Sequence, residues 1–371
     1  MSSPSSANLC MDCKSVPSTL TLRKRELCDN CALRFLSGKV LRRMERYKLR
    51  NAPKSHRRRL LLPLSFGIGS FTLLHILDAH LHRHAVGGAK VTPFDLVVLS
   101  IDPASVDGRE DEEARKEQER RMQRVKEVYT WVDEYKSVRF EDVFDIDENI
   151  ESVLESHGWT MPKQAGAATT MANKQRLDAF RISLSTPTTR RDIDRVLLTR
   201  LITSFAKREN CEGIFWGDCD TTLAARTLAH VSKGRGYSLS YEINDGMSPL
   251  GLFYNFPLRD IFKSELEVYA SIALRDVQDV IVAKEKIGDL SNRYMSIEQL
   301  MENYVESQAV KYPGIMANIA RTVAKLEQGV DSEGKRCALC EMPVGEGQDR
   351  LIGEKGDLCY GCARSVDDIK S

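Results

Sequence analysis

The chain has no apolar run of the ~18 residues that a membrane-spanning helix needs, so no membrane partner is expected. Its opening stretch, MSSPSSANLC, lacks the basic-then-apolar layout of a secretory signal, and a cytoplasmic location is expected. Excess charge is missing too. Lys and Arg total 54 against 53 for Asp and Glu, a formal net charge of +1 over 371 residues. That excludes a uniformly basic coat for nucleic acid and a uniformly acidic chain, so any charged partner must be read by a local patch. The length suffices for one large domain with a sizeable core and small attachments.

Cysteine is absent from the long interval between Cys219 and Cys337. Eight of the ten cysteines fall in four Cys-x-x-Cys hooks: Cys10/Cys13, Cys28/Cys31, Cys337/Cys340 and Cys359/Cys362. Within each terminal pair, 14 and 18 residues separate the hooks. In a reducing compartment this layout reads as zinc rather than disulfide. Two hooks give four thiolates to one tetrahedral ion, so two structural zinc sites are expected. Redox-active thiols and iron–sulfur ligation are the alternatives. Lys14, Arg23, Lys24 and Arg25 beside the first set, and Lys335 and Arg336 beside the second, are expected to offset the thiolate charge. Cys211 and Cys219 read as small core residues.

Residues 34–59 hold Arg34, Lys39, Arg42, Arg43, Arg46, Lys48, Arg50, Lys54, Arg57, Arg58 and Arg59 against one acid, Glu45. Leu33, Leu36, Val40, Met44 and Tyr47 recur at helical steps, which predicts an amphipathic helix with one buried stripe and one cationic face. Such a face beside a zinc knuckle suits a phosphate backbone, and nucleic acid is the expected partner. The alternative is a merely solvated helix surface. Residues 60–64 and 94–102 read as strands, with a helix over 69–83 between them, which implies a parallel pair with a crossover. Further strands are expected at 137–144, 212–217 and in "YSLSYE". Helices are expected at 107–135 (docked by Val125, Val128 and Trp131), at 189–209 and in "TTLAARTLAHVSKGRG", with a loop at 164–174. The 263–328 tail reads as mostly helical. His80, His82 and His84 suit the electrostatics of a helix end better than a metal. The expected units are a knuckle at 1–35, a basic helix and linker at 36–59, an α/β domain at 60–330 and a second knuckle at 331–371.

The order of these elements resembles the tRNA 2-thiolation branch of the PP-loop ATPases. That resemblance implies an adenine nucleotide alpha hydrolase-like fold, a parallel sheet with helices on both faces. The family loop reads Ser-Gly-Gly-x-Asp-Ser at the end of the first strand. This chain has Ser65-Phe66-Gly67-Ile68-Gly69-Ser70 there. Small residues let backbone N–H groups approach a pyrophosphate. Phe66 puts a ring in place of the first glycine and Gly69 removes the acid, while Ser65, Gly67 and Ser70 remain. A second family motif, Gly-His-x-x-Asp-Asp-x-x-Glu-Thr, aligns with GDCDTTLAAR at 217–226. Asp218 stands for its histidine, Thr221 and Thr222 for its acids, and Ala225 and Arg226 for Glu-Thr. The family's Cys-x-x-Cys before a double arginine aligns with Ser183 and Thr186 before Arg190 and Arg191. Its further cysteine, due after "FPLRDIFKSELEVYA", has no counterpart.

The resemblance thus implies a degenerate, non-catalytic member with no catalytic residues of its own and doubtful ATP binding. It implies a role in making 2-thiouridine at the modified wobble position U34 of cytosolic tRNAs for Lys, Glu and Gln. The implied partners are a catalytic PP-loop subunit, forming a heterodimer, and a thiocarboxylated ubiquitin-like sulfur carrier. Two other readings stand beside it: an active ATP-dependent thiolase or adenylating enzyme, and a zinc-dependent protein-binding adaptor.

Overall fold

In the computed structural model of the chain, the described residues are 8–51, 53, 55–87, 92–102, 112–159, 172–283, 295–326, 334–344 and 357–367. Lys54, the segment 107–111 and most of the expected 164–174 loop lie outside them. No described helix is long and apolar enough to cross a membrane.

A short hairpin, Leu20–Leu22 (β1) with Arg25–Leu27 (β2), precedes the helix Asp29–Arg43 (α1). The expected stripe is real: Leu36, Val40, Met44 and Tyr47 are buried. The helix itself differs from the expectation. It begins at Asp29, within the second cysteine hook, and stops at Arg43. Two single turns, Glu45–Tyr47 and Leu49–Asn51, carry the chain onward. Pro53, which cannot donate a backbone hydrogen bond, follows them.

The domain is built on a six-stranded sheet. In chain order its strands are Arg59–Pro63 (β3), Asp95–Ile101 (β4), Glu134–Val138 (β5), Gly213–Phe215 (β6), Gly246–Met247 (β7) and Phe253–Asn255 (β8). Across the sheet the order is β5-β4-β3-β6-β8-β7, parallel throughout except for the β7 edge. Successive side chains of a strand face opposite sides. Leu60 and Leu62 therefore enter one core and Leu61 the other, and Leu96 and Val98 likewise part from Val97 and Leu99. The first core is covered by Ile68–Val86 (α2) and Lys263–Ala273, with α1 packed outside. The second is covered by Pro187–Arg208 and Asp220–Ser232. Helices thus line both faces, as a buried parallel sheet requires.

Strand β3 is central, and the chain runs outward to β4 and β5 before returning to β6 on its other side. That reversal is a topological switch point, where open α/β sheets form their crevice beyond the strands' carboxyl ends. Two expectations fail locally. Residues 140–146 turn into helix after β5, and "YSLSYE" forms a helical turn and the short helix Leu239–Glu242. Trp131 lies just past the helix Glu112–Val128 and stays partly exposed, while Val125 is fully buried.

Candidate metal centres and the degenerate loop

The sequence hooks converge as expected. Cys10, Cys13, Cys28 and Cys31 bring their sulfurs within 4.8 Å of one another, and so do Cys337, Cys340, Cys359 and Cys362. The Cys13 and Cys28 sulfurs stand 3.9 Å apart, and those of Cys340 and Cys359 3.8 Å. A tetrahedral ion with ~2.3 Å metal–sulfur bonds has edges of ~3.8 Å, whereas a disulfide would close to ~2.05 Å. The quartets therefore fit a single tetrahedral ion such as zinc. A cubane iron–sulfur cluster spreads its four thiolates wider than one ion does, and these quartets are too compact for it.

Both centres use the same local device. The first hook sits in a tight knuckle closed by an antiparallel bridge, Leu9 to Pro17 in one case and Arg336 to Pro343 in the other. Lys14 and Glu341, each one residue past its hook, take left-handed backbone (φ 54° and 59°), and each N–H bonds back to the first cysteine's carbonyl. The second hook lies at a helix start: Cys28 flanks α1, and Cys359 precedes Tyr360–Asp367. Helix amino termini favour thiolates electrostatically. At Cys10, the backbone N–H of Cys13 leads in holding the thiol down, at about 6.

The charge partners differ from expectation. Arg23 pairs with Glu265 at 2.6 Å, Arg25 pairs with Asp12, and Arg336 donates to the Pro249 carbonyl. The guanidiniums that reach sulfur are Arg34, 3.7 Å from Cys31 Sγ, and Arg235, 3.3 Å from Cys362 Sγ and 3.6 Å from Cys359 Sγ. Nothing local in sequence marks Arg235, because it lies 124 residues from Cys359. It stands in a buried chain of charge. Asp192 accepts from Arg235 at 2.7 and 3.1 Å, from Lys233 at 2.7 Å and from Ser365 at 3.0 Å, and Lys233 also pairs with Glu298. Lys233 is 0% exposed, so the pairing is obligatory. Gly361 permits the approach: a Cβ there would sit 2.5 Å from Arg235 Cγ. Arg200 ties the same knuckle from the other side, bonding Asp147 at 2.6 and 2.9 Å and the Leu339 carbonyl at 3.0 Å.

The loop Ser65–Ser70 lies at the switch point, between β3 and α2. Phe66 has φ 57°, the left-handed backbone that favours glycine, and it occupies the position of the family's first glycine. Its ring is 2% exposed, turned into the core 5.8 Å from Phe71. The loop hydroxyls are used internally: Ser65 Oγ lies 3.2 Å from Ser70 Oγ, and Ser70 donates to the Gly67 carbonyl at 3.0 Å. Gly69 and Gly217 meet backbone to backbone, since a Cβ on Gly69 would stand 2.3 Å from the Gly217 carbonyl oxygen. The two degenerate motifs are thus brought together. Ser183 and Thr186 are local fasteners: Ser183 donates to the Phe180 carbonyl, and Thr186 caps Pro187–Arg208 by accepting from Thr189 N–H at 3.1 Å. The remaining cysteines are core residues, as read from sequence. Burial pushes Cys211 up to about 11 and also raises Cys219. A cavity of about 450 Å³ opens at the ends of β4 and β5, and none of Ser65, Gly67, Gly69 and Ser70 lines it.

The basic segment is not uncompensated; its acids come from distant elements. Arg43 pairs with Asp245 and Asp260, Arg57 with Asp95 and Asp133, Arg58 with Glu212, and Arg59 with Glu134 and Glu209. Lys48 and Arg50 share Glu45. Lys39 is half-buried over the Phe35 ring. Arg34, Arg42 and Arg46 are exposed, with Arg46 laid over the Phe253 ring at 4.2 Å. Among the three histidines, His80 packs on His84 and Phe94, and burial pushes it down to about 4.

A parallel sheet with its first-strand loop at the switch point, stapled by a four-cysteine centre near each end, defines a PP-loop-type scaffold. The solved U34-tRNA thiolase NcsA from Methanococcus maripaludis with its [4Fe-4S] cluster shares this fold, with a TM-score of 0.59 over 95% of each chain at 15% identity. Residues 296–354 match the family model described as cytoplasmic tRNA 2-thiolation protein 2. Relatives bearing that name are 46% identical over 98% of both chains in Coccidioides immitis (strain RS), and 43% identical over 90% of this chain and 94% of the relative in Ajellomyces capsulatus (strain NAm1 / WU24). In Aspergillus clavatus the identity is 38% over 97% of both. The chain belongs to the cytoplasmic tRNA 2-thiolation protein 2 family.

Proposed function

We propose that the chain is the non-catalytic subunit of a cytoplasmic enzyme that 2-thiolates the modified wobble uridine of tRNAs for Lys, Glu and Gln. A catalytic PP-loop subunit supplies ATP chemistry and reactive thiolates, and a thiocarboxylated ubiquitin-like carrier brings the sulfur. The family name and the shared fold with a U34-tRNA thiolase support the reaction. The observation that carries the non-catalytic role is Phe66. It keeps the backbone of a phosphate loop while its ring, and the paired hydroxyls of Ser65 and Ser70, give that loop a packing role. The two cysteines outside the quartets are buried with raised thiols, unsuited to carrying sulfur as nucleophiles.

In this reading both quartets hold zinc, and Arg34, Arg42, Arg46 and Arg50 grip tRNA phosphates. Lys39, Arg43, Arg57, Arg58 and Arg59 fix the segment against the rest of the domain through their bonds and so hold those four in place, while Lys48 pairs within the segment to Glu45. Phosphate contacts supply salt-dependent affinity with little sequence choice. The test assays the purified chain alone, then with the catalytic subunit, carrier, ATP and tRNA, reading 2-thiouridine by mass spectrometry. Product is expected only with both subunits, and product from the chain alone refutes the role. In the complex, Arg42→Glu with Arg46→Glu is expected to weaken tRNA binding and to flatten the salt slope by ~1 for each phosphate no longer neutralised, with zinc content unchanged.

A further inference from the structure

A cavity of about 170 Å³ lies between Pro187–Arg208, Asp220–Ser232, the ends of β6 and β8, and the carboxyl-terminal cysteine knuckle. None of the degenerate loop residues lines it. Its wall holds an unusual number of unsatisfied donors. Trp216 Nε1 and Arg226 Nε are buried without a hydrogen-bond partner. The Tyr254 hydroxyl is buried beside the Ser248 and Thr203 hydroxyls, and that ring is 2% exposed. His230 is 2% exposed, and neither ring nitrogen is hydrogen-bonded. Arg195 also faces the cavity, and Glu242, Asp218 and Glu298 are the acids that act on it. Burial and the neighbouring Arg226 push Arg195 down to about 10, so it remains charged at neutral pH.

Buried donors left unpaired cost ~1–3 kcal/mol each, and such groups in a native fold call for a ligand or water. The set here is chemically one-sided. Trp donates only, and two guanidiniums donate only. Of the charged groups on the wall, Asp192 is spent on Lys233 and Arg235 and Arg200 on Asp147, and Arg226 gives one nitrogen to Asp218 at 2.9 Å while its Nε stays unpartnered. Besides the Cys340 sulfur, which belongs to the metal quartet, the wall carries one further carboxylate, Glu242, with Oε2 3.5 Å from His230 Nε2. His230 is held neutral by burial, so one of its nitrogens donates and the other accepts.

We propose that this cavity binds a free hydrogen phosphate ion. Arg195, Arg226, Trp216 and Tyr254 donate to its bare oxygens, and Glu242 takes the hydrogen bond from its P–OH. A wall of donors alone would hold any oxyanion. The carboxylate makes the site selective, because sulfate carries no proton near neutral pH and would meet Glu242 as a like charge. The inference is independent of the tRNA-binding reading, since no residue of the 34–59 segment takes part.

The test is calorimetric titration of the full-length, zinc-loaded chain with inorganic phosphate, sulfate and AMP at constant ionic strength. Saturable binding of phosphate, with sulfate weaker by about tenfold or more, is expected. Arg195→Gln is expected to weaken phosphate by about tenfold or more, and Tyr254→Phe, which keeps the ring, by a smaller factor at unchanged melting temperature. Glu242→Gln is expected to erase the preference over sulfate while the fold persists. AMP, whose phosphomonoester is mostly without a P–OH at neutral pH, is expected to bind more weakly than the free ion, and AMP binding as tightly as phosphate or more tightly overturns the proposal. The proposal is overturned if phosphate up to about 20 mM neither binds nor raises the melting temperature. It is also overturned if binding survives Arg195→Gln and Tyr254→Phe but is lost in Ser70→Ala, which would place the anion in the loop.

Discussion

Replacing Asp192 with Asn tests the claim that the carboxyl-terminal centre is wired into the domain by buried charge. The Asp192 carboxylate is 1% exposed and receives Arg235, Lys233 and Ser365. Burial alone would raise its pKa, but the Arg235 guanidinium and the Lys233 ammonium outweigh that and hold it well below the usual carboxylate range. Breaking such a pair costs ~3–5 kcal/mol, because the partner charges stay buried. Lys233 keeps Glu298 and Arg235 keeps the thiolates, so the expected loss lies at the low end, ~3 kcal/mol. For a chain of this size that lowers the melting temperature by roughly 4 °C. Urea unfolding at neutral pH measures the free energy, and release of metal to a colorimetric chelator supplies the readout specific to this wiring. Two release phases are expected, one per quartet. Only the phase of Cys337, Cys340, Cys359 and Cys362 should accelerate in D192N, since Arg235 then loses its anchor. The sign with pH follows from a depressed folded pKa. The stabilisation is present above the unfolded value of ~3.9 and is lost as pH falls toward the folded one, so wild type and D192N should converge in strong acid. A loss below ~1 kcal/mol, or equal acceleration of both phases, refutes the reasoning.

Asp220 behaves oppositely: burial raises it to about 6, against partial relief from Thr221. Its ionised form therefore costs the fold ~2–3 kcal/mol at pH 7.5, a penalty that grows as pH rises from ~4 through the folded value. D220N is expected to be more stable than wild type at pH 7.5 and level with it near pH 4, as urea midpoints would show. Phe66→Gly relieves left-handed backbone but empties a core site, for a net loss of ~2–3 kcal/mol by denaturant titration, and no loss would mean the ring is not packing. Gly361→Ala puts a methyl group 2.5 Å from Arg235 Cγ and should speed metal release from the carboxyl-terminal centre alone. Cys10→Ser should remove one of two metal equivalents by atomic absorption and expose the 20–27 hairpin to limited proteolysis.

The scaffold was legible because its signals are local. The run Leu60 to Leu62, the valines of 97 and 98 and the spacing of the cysteine hooks each fix a neighbourhood without help from distant chain. The second knuckle repeats the first, so one pattern served twice. What escaped were long-range partners. The 34–59 segment looks bare of acids when read along the chain, yet Asp245, Asp260, Glu212 and Glu209 fold back on it. Arg235 reached the thiolates unannounced for the same reason. The helix boundary at Arg43 also failed, because the apolar stripe continues through Met44 and Tyr47 into turns that bury the same face without helical geometry. Periodicity reports which side is buried, and it does not report where the backbone hydrogen bonds change partner.

The loop keeps a left-handed turn with a bulky residue in it. A left-handed non-glycine residue persists only where its surroundings over-determine it. At Phe66 they do. Its carbonyl accepts from Val282 N–H at 2.8 Å, its ring packs on Phe71, and Gly69 three residues on is pressed against Gly217. A side chain that flipped outward would forfeit the ring burial, and a backbone that relaxed would break the Val282 bond and part the two motifs. The turn is held here by apolar packing, at the point where the two halves of the sheet meet.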